Sequence, residues 1–227
     1  MTAIQAVPGK LDAASLDASL DVLLDALCAA LGLAPTAAQS QALLDFMALL
    51  ARWNAVYNLT AVRDQADMLT QHLADCLAVI PALQRHITCG RLLDAGSGGG
   101  LPGVVIAIML PGLDVTCVDS VGKKAAFVQQ ASATLRLPHL HAVHSRVEAL
   151  RAPPFDVITS RAFAALPALT SLTRPQLAAG GVWMAMKGHV PTNEIAALPD
   201  DVDVFHVEPL QVPGLDAQRC LIWMRPD

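Results

Sequence analysis

LLDAGSGGGLPG, residues 92–103, joins a short apolar run to a glycine-rich loop and then to the start of a helical pattern. The apolar run ends at Asp94 and Ala95 and predicts a buried strand. In open α/β folds, cofactors bind at loops that follow such strands, at the carboxyl edge of the sheet. Glycine suits this loop because a Cβ would obstruct a ligand and because the turn needs unusual backbone angles. Free N–H groups of a helix beginning at Leu101 favour an anionic or carboxylate group.

The sequence after Gly90 alternates between short apolar runs and helical stretches. This alternation is typical of successive βαβ units with a parallel sheet. Predicted strands lie at about 91–95, 115–119, 141–144, 155–159, 182–187, 202–208 and 220–224, and predicted helices at 101–110 and 123–135. We therefore expect an α/β, Rossmann-like domain over residues 89–227.

Upstream of this domain, leucines and other apolar residues recur at three- and four-residue steps, which predicts amphipathic helices. These helices are expected at about 16–31, 37–56 and 65–83. Asp64 is the predicted N-cap of the third helix, and Pro81 is expected to end it. Phe46 and Trp53 lie on the apolar stripe of the second helix and are expected in the core. We interpret residues 1–88 as an N-terminal helical segment.

The 227-residue chain is 54% hydrophobic with only 4% aromatic residues, which predicts an aliphatic globular core. It has no apolar run long enough to span a membrane and no secretory signal pattern, so we expect a cytoplasmic protein. Its five cysteines are scattered without C-x-x-C spacing, which indicates reduced, mostly buried thiols. Neither a disulfide framework nor a metal site is expected.

The net charge of −5 is divided unevenly along the chain. Residues 120–190 contain eight basic residues against two acidic ones, a local net charge of +6. The acidic residues are concentrated on either side of this region. A basic middle region on an acidic protein permits a polyanionic partner.

The glycine loop alone is compatible with two different cofactors. Gly98, Gly100 and Gly103 also satisfy the dinucleotide pattern G-x-G-x-x-G, so a nicotinamide-dependent oxidoreductase is one alternative. Asp119 ends the second predicted strand, where a carboxylate can bind the ribose hydroxyls of NAD or of S-adenosylmethionine. Asp119 therefore supports a ribose-containing cofactor without choosing between the two.

Five further motifs, taken with the loop, resemble one family, the bacterial small-subunit rRNA methyltransferase G family, also called glucose-inhibited division protein B. They are YNLT (57–60), DSVGKK (119–124), SRVE (145–148), SRAF (160–163) and MKG (186–188). The match runs in order from about Trp53 to Trp223. The loop differs mildly from the family pattern, with Ser97 and Gly99 where relatives often have Thr and Pro. We expect this difference to make the loop more flexible without changing the cofactor.

The resemblance implies a class I S-adenosylmethionine-dependent methyltransferase with a seven-stranded, mostly parallel sheet. It further implies methyl transfer to N7 of a guanine in the decoding-region loop of 16S rRNA, by a protein we expect to be monomeric. The implied cofactor contacts are Gly96, Ser97, Gly98, Leu101, Asp119, Val147, Glu148 and Arg161. The implied catalytic and RNA-side residues are Arg146, Arg161 and Lys187.

Methylation at guanine N7 is consistent with the absence of two catalytic motifs from the sequence. Guanine N7 carries a free lone pair, so methyl transfer from a sulfonium needs alignment and no general base. The sequence has no N/D-P-P-Y/F/W motif of the kind used for exocyclic amines and no Pro-Cys nucleophile, and Cys117 is expected to be a buried structural thiol. Arg161 could stack on the base or donate to its O6. The alternative for Arg161 is an ion pair with Asp94 or Asp156.

Two other functional classes stay open at this point. One is a small-molecule methyltransferase, and the other is a cofactor-binding RNA module without catalysis.

Overall fold

The computed structural model describes residues 13–60, 62 and 65–227. Within them, seven strands are found: β1 (Gly90–Ala95), β2 (Leu113–Asp119), β3 (Leu140–His144), β4 (Phe155–Arg161), β5 (Leu177–Lys187), β6 (Val202–Leu210) and β7 (Arg219–Pro226). They form one sheet in the order β3-β2-β1-β4-β5-β7-β6. The first five strands pair in parallel, and β7 is antiparallel to both β5 and β6. The seven predicted strands are confirmed.

The described helices are α1 (Ala13–Ala30), α2 (Ala37–Tyr57), α3 (Gln65–Met68), α4 (Ala74–Leu77), α5 (Ile80–His86), α6 (Gly103–Met109), α7 (Gly122–Thr134), α8 (Leu166–Thr173) and α9 (Thr192–Ala196). A π-helical turn, Leu69–Leu73, joins α3 to α4. Helix α2 begins with a capping box between Thr36 and Gln39 and ends at Asn58 in the left-handed conformation, with φ of 51°. None of the described helices is long and apolar enough to cross a bilayer.

The predicted third helix differs from the one observed. Residues 65–83 do not form one helix, because the π turn interrupts it and α5 begins only at Ile80. Pro81 does not end a helix; it lies in the first turn of α5, which continues to His86. Proline is tolerated there because first-turn N–H groups have no intrahelical partner. The predicted N-cap, Asp64, lies outside the described residues.

Two apolar clusters are buried among the residues that the structure describes. One joins the N-terminal helices to α6 and α7, and the rings of Phe46 and Phe127 meet in it at a centroid distance of 6.1 Å. The other contains Phe155, Leu169 and Trp183. Phe46 is fully buried, as predicted, whereas Trp53 is partly buried against the first cluster. Because one cluster spans both parts of the chain, the N-terminal helices are fixed directly against the domain that carries the glycine loop.

Candidate active site

Two adjoining pockets open at the carboxyl edge of the sheet. We name them the Glu148 pocket, of about 480 Å³, and the Arg161 pocket, of about 590 Å³. Of the residues predicted from sequence, the Glu148 pocket is lined by Gly96, Asp119, Arg146, Val147 and Glu148, and the Arg161 pocket by Gly96, Ser97, Gly98, Leu101, Arg161 and Lys187. The two pockets share Gly96, Lys124 and Ala162. The structure therefore brings all of the predicted site residues to one edge, divided between two neighbouring cavities.

The glycine loop is fixed by backbone hydrogen bonds to the neighbouring strand. The N–H groups of Gly96 and Ser97 both donate to the carbonyl oxygen of Val118, at 2.9 and 3.1 Å. Gly96 has φ of +69°, and a Cβ built on it would collide with the ring of Phe163. Phe163 itself lines the Glu148 pocket. Glycine is required at position 96 both for the left-handed backbone and for the close approach of this ring.

Asp119 connects β2 to the glycine loop. Its Oδ2 accepts a hydrogen bond from the N–H of Gly98 at 3.0 Å, and its Oδ1 accepts one from the N–H of Val121 at 2.8 Å. Lys124 Nζ lies 3.8 Å from Oδ2. Each carboxylate oxygen has a second lone pair, so these contacts leave capacity to accept from ribose hydroxyls.

Asp94 lies beneath the loop and is fully buried. Burial raises its pKa to about 7, although a hydrogen bond from the N–H of Gly103 to Oδ2, at 2.8 Å, opposes the change. No residue that the structure describes forms a hydrogen bond with its Oδ1. Burial likewise raises the pKa of the neighbouring Cys117 thiol, which agrees with the predicted structural role.

The segment after β3 contributes one buried and two exposed side chains. Val147 begins a short 3₁₀ turn and is buried. Glu148 is 45% exposed and lies 3.8 Å from Arg146, which is 79% exposed. Val147 therefore forms an apolar wall of the Glu148 pocket, while Glu148 and Arg146 stand at its open side.

Arg161 ends β4 and makes an ion pair that the sequence did not predict. Its Nη1 lies 3.4 Å from Oδ2 of Asp75 in α4. The expected alternative, a pair with Asp94 or Asp156, is wrong, because the carboxylate within ion-pair distance of Arg161 in the described structure is that of Asp75. Asp75 lies in the N-terminal helical segment, so Arg161 links that segment to the sheet edge.

Lys187 ends β5, and its charge is already compensated. Its Nζ donates to Glu194 Oε2 at 2.7 Å and to the carbonyl oxygen of Ala164 at 3.2 Å. Glu194 also accepts the N–H of Leu166 at 2.7 Å. Burial would raise the pKa of Glu194, but the hydrogen bonds from Lys187 and Leu166 lower it overall. The carboxylate therefore stays ionised, and Lys187 is held at the rim of the Arg161 pocket.

The Arg161 pocket also contains His72, Asp75 and Arg219, which were not predicted as site residues. His72 Nε2 forms a hydrogen bond with Thr60 Oγ1. Burial, together with the charge of Arg161, lowers the pKa of His72 and favours the neutral imidazole. Arg219 begins β7, and its Nε lies 2.9 Å from Oδ1 of Asp75. No sequence signal links these positions, because they meet only when the helical segment packs on the sheet.

Sequence comparisons identify the family. A family model described as rRNA small subunit methyltransferase G matches residues 39–222. Ribosomal RNA small subunit methyltransferase G of Acidovorax sp. (strain JS42) is 60% identical over 207 residues, which cover 87% of this chain and 91% of the relative. The chain belongs to the rRNA small subunit methyltransferase G family. The relative of the same name from Methylibium petroleiphilum is 59% identical over 197 residues, covering 86% of this chain and 89% of the relative.

Solved structures share the fold of this methyltransferase G family member at low sequence identity. The glycopeptide N-methyltransferase MtfA, complexed with S-adenosyl-L-methionine, superposes with a TM-score of 0.56 at 13% identity, covering 68% of this chain and 94% of MtfA. A SAM-dependent methyltransferase from Aquifex aeolicus gives a TM-score of 0.52 at 13% identity, covering 70% and 92%. The class I methyltransferase fold predicted from the sequence is confirmed. Family membership also removes the nicotinamide-dependent oxidoreductase from the alternatives.

Proposed function

We propose that this chain transfers a methyl group from S-adenosylmethionine to N7 of a guanine in the decoding-region loop of 16S rRNA. The observation that carries the proposal is the pair of adjoining pockets that share Gly96. One has carboxylates suited to an adenosine, and the other has guanidinium groups suited to a nucleotide of RNA. Family membership supports both the methyl donor and an rRNA acceptor.

The Glu148 pocket suits the nucleoside part of the donor. Asp119 lies at the position where a carboxylate meets ribose hydroxyls in this fold class. Val147 offers an apolar wall for the adenine ring, and Glu148 offers an acceptor at the pocket edge. The methionine part would then pass Gly96, where the absence of a Cβ leaves backbone to contact it, and would extend toward Ser97, Gly98 and Leu101. We infer that these residues bind the cofactor.

The Arg161 pocket suits the target base. Arg161 and Lys187 have side chains that are 23% and 19% exposed, so their charged ends can meet a ligand while their stems stay packed. Arginine donates well to guanine O6 or to a phosphate. Donation to N7 itself would occupy the lone pair that must attack the methyl carbon. We therefore assign Arg161 to O6 or phosphate and Lys187 to the same substrate side.

The chemical step needs alignment of N7, the methyl carbon and the sulfonium sulfur. Bringing two reactants into one geometry can contribute roughly 7 to 11 kcal/mol to a rate enhancement. As N7 attacks, the carbon–sulfur bond breaks, the sulfur keeps the electron pair and no proton is transferred. In this proposal the pocket side chains bind and orient, and none acts as a base.

Access to the pocket requires an unpaired or extruded guanine, because a base stacked in a helix cannot reach it. Arg146, 79% exposed beside the Glu148 pocket, is available for the RNA backbone. We expect the enzyme to act as a monomer in the cytoplasm, on the small ribosomal subunit or one of its assembly intermediates.

The test supplies hypomethylated small ribosomal subunits with isotope-labelled S-adenosylmethionine and maps the label by mass spectrometry. We expect one 7-methylguanosine in the decoding-region loop of 16S rRNA. Methylation of another nucleobase atom, or none at all, would reject the proposal. Salt-dependent RNA binding by the same protein preparation separates an RNA enzyme from a small-molecule methyltransferase.

A further inference from the structure

Asp75 forms ion pairs with two arginines, Arg161 and Arg219. Its Oδ2 lies 3.4 Å from Arg161 Nη1, and its Oδ1 lies 2.9 Å from Arg219 Nε. The three side chains come from α4, from the end of β4 and from the start of β7. The pairing Lys187↔Cys220 places the start of β7 beside the end of β5, so Arg219 reaches the same sheet edge as Arg161.

The charges in this cluster do not balance. One carboxylate, 6% exposed, faces two guanidinium groups that are 23% and 26% exposed. The neighbouring Lys187, in contrast, has its own acidic partner in Glu194. Among the described residues, the Asp75 cluster therefore has two guanidinium groups for one carboxylate within ion-pair distance, on the side of the Arg161 pocket. Each guanidinium has five N–H donors; Arg161 uses one on Asp75, and Arg219 uses one on Asp75 and one on the carbonyl oxygen of Gln218 at 2.8 Å, so most are not engaged by these contacts.

We propose that Arg219 contacts the target nucleotide together with Arg161, and that Asp75 is the positioning residue that fixes both guanidinium groups. The inference rests on the proposed function, since it names the residues that hold the base in that reaction. The excess positive charge suits an RNA phosphate or the partial negative charge of a guanine carbonyl oxygen.

The arrangement also explains how an arginine can lie beside N7 without inhibiting the reaction. A mobile guanidinium would donate to N7 and O6 together, which is the usual way arginine binds guanine. Such a contact would occupy the attacking lone pair. With Asp75 holding one edge of each guanidinium, the donors that remain free point in a fixed direction. Arg161 and Arg219 then bind O6 and a flanking phosphate, and the lone pair of N7 stays free to attack the methyl carbon.

The experiment compares Asp75→Asn, Arg219→Gln and the double variant with the unmodified enzyme. Asparagine can accept from one arginine but presents an N–H₂ group to the other. The matched control is Asp203→Asn with Arg225→Gln, an exposed ion pair of 3.0 Å between β6 and β7. The measurements are kcat and KM with hypomethylated small subunits, the Kd of S-adenosylmethionine, the Kd of an unrelated RNA and the thermal unfolding temperature.

Both single variants are expected to lose roughly 10- to 100-fold in kcat/KM, the range that small misplacements of substrate produce. The Kd of S-adenosylmethionine should change less than about twofold. Asp75→Asn removes a negative charge, so unrelated RNA should bind equally well or more tightly although methylation falls. The double variant should be no worse than the poorer single variant, because both changes disrupt one unit. The control pair should behave like the unmodified enzyme.

Several results would overturn the inference. One is full methylation by Asp75→Asn or Arg219→Gln. Another is a loss of methylation that follows a parallel loss of cofactor affinity and unfolding temperature, because this identifies a structural link only. If Asp75→Asn does not fold, the inference is tested by comparing Arg219→Lys with Arg219→Gln. Lysine keeps the positive charge, so Arg219→Lys should retain more methylation activity than Arg219→Gln. If the unmodified enzyme methylates no rRNA, the proposed function is rejected as well. If the unmodified enzyme is active and the variants methylate rRNA equally well, only this inference is rejected.

Discussion

Asp119 Oδ2 accepts a hydrogen bond from the backbone N–H of Gly98 at 3.0 Å, so the last residue of β2 fixes the loop that follows β1. The same carboxylate accepts the N–H of Val121 at the start of α7. One side chain thus sets the relative positions of the glycine loop and the next helix. Loss of this carboxylate should therefore alter the loop as well as any direct contact to ribose.

The first prediction concerns Asp119→Ala. Hydrogen bonds to a charged group contribute about 1.5 to 3 kcal/mol, so the Kd of S-adenosylmethionine should rise roughly 10- to 100-fold. Isothermal titration calorimetry measures this directly. The control is Asp114→Ala, which removes a 41% exposed carboxylate near the opposite end of the same strand. An unchanged Kd in Asp119→Ala would show that the carboxylate serves neither the loop nor the ribose.

The second prediction concerns Gly96→Ala. A left-handed backbone costs an alanine of the order of 1 kcal/mol, and the collision with Phe163 adds to this. We expect a loss of about 2 to 4 kcal/mol in unfolding free energy and at least tenfold weaker cofactor binding. Gly180→Ala is the matched control, because Gly180 has φ of +76° with nothing within 4 Å of its Cβ position. It should lose only about 1 kcal/mol and bind the cofactor normally. Equal behaviour of the two variants would contradict the steric argument.

The pocket residues that were predicted from the sequence lie at the ends of strands or just after them. In a parallel sheet, the carboxyl ends of the strands meet at one edge, so residues such as Gly96, Asp119, Glu148 and Arg161 are brought together by topology alone. The seven strands could be recognised because each is a short apolar run between turns or helical stretches. Local pattern and one topological rule place these residues at one edge, and the family resemblance supplies their expected roles.

The positions of the remaining pocket residues depend on tertiary packing, which no local sequence pattern predicts. Asp75 is 86 residues from Arg161 and 144 residues from Arg219 in the chain, and each contact forms only through the shared apolar core. The interrupted helix between Gln65 and His86 has the same origin, since an unbroken apolar stripe does not reveal a π turn. Tertiary packing fixes these features, and hydrophobic periodicity does not encode them.

The third prediction concerns Arg161→Gln. The change removes the charge that we assign to the target nucleotide and leaves Asp75 with one arginine instead of two. We expect kcat/KM for rRNA methylation to fall about 100-fold or more, with a smaller effect on the Kd of S-adenosylmethionine. Arg174→Gln, which breaks a surface pair of 2.9 Å with Asp201, is the control and should methylate normally. Full methylation together with full cofactor affinity in Arg161→Gln would refute the assignment.

The fourth prediction concerns the pH dependence of stability and follows from Asp94. Burial raises the pKa of this carboxyl from 3.8 to about 7, so the folded state holds the proton more tightly than the unfolded state. Its contribution is therefore most favourable below pH 3.8 and declines as the pH rises to about 7, where it reaches a constant penalty. At about 1.4 kcal/mol per pKa unit, the upper bound of this penalty is roughly 4 kcal/mol.

Asp94→Asn should remove that decline, because asparagine keeps the acceptor for the Gly103 N–H and cannot ionise. Urea unfolding of both proteins across this pH range measures the difference. We expect the variant to gain stability relative to the unmodified protein as the pH rises, with the difference reaching a plateau above about pH 7. Asp45→Asn, an exposed carboxylate on α2, controls for the general loss of one acidic group. If the stability difference between Asp94→Asn and the unmodified protein is the same at every pH, the pKa of Asp94 is the same in the folded and unfolded states, and burial does not raise it.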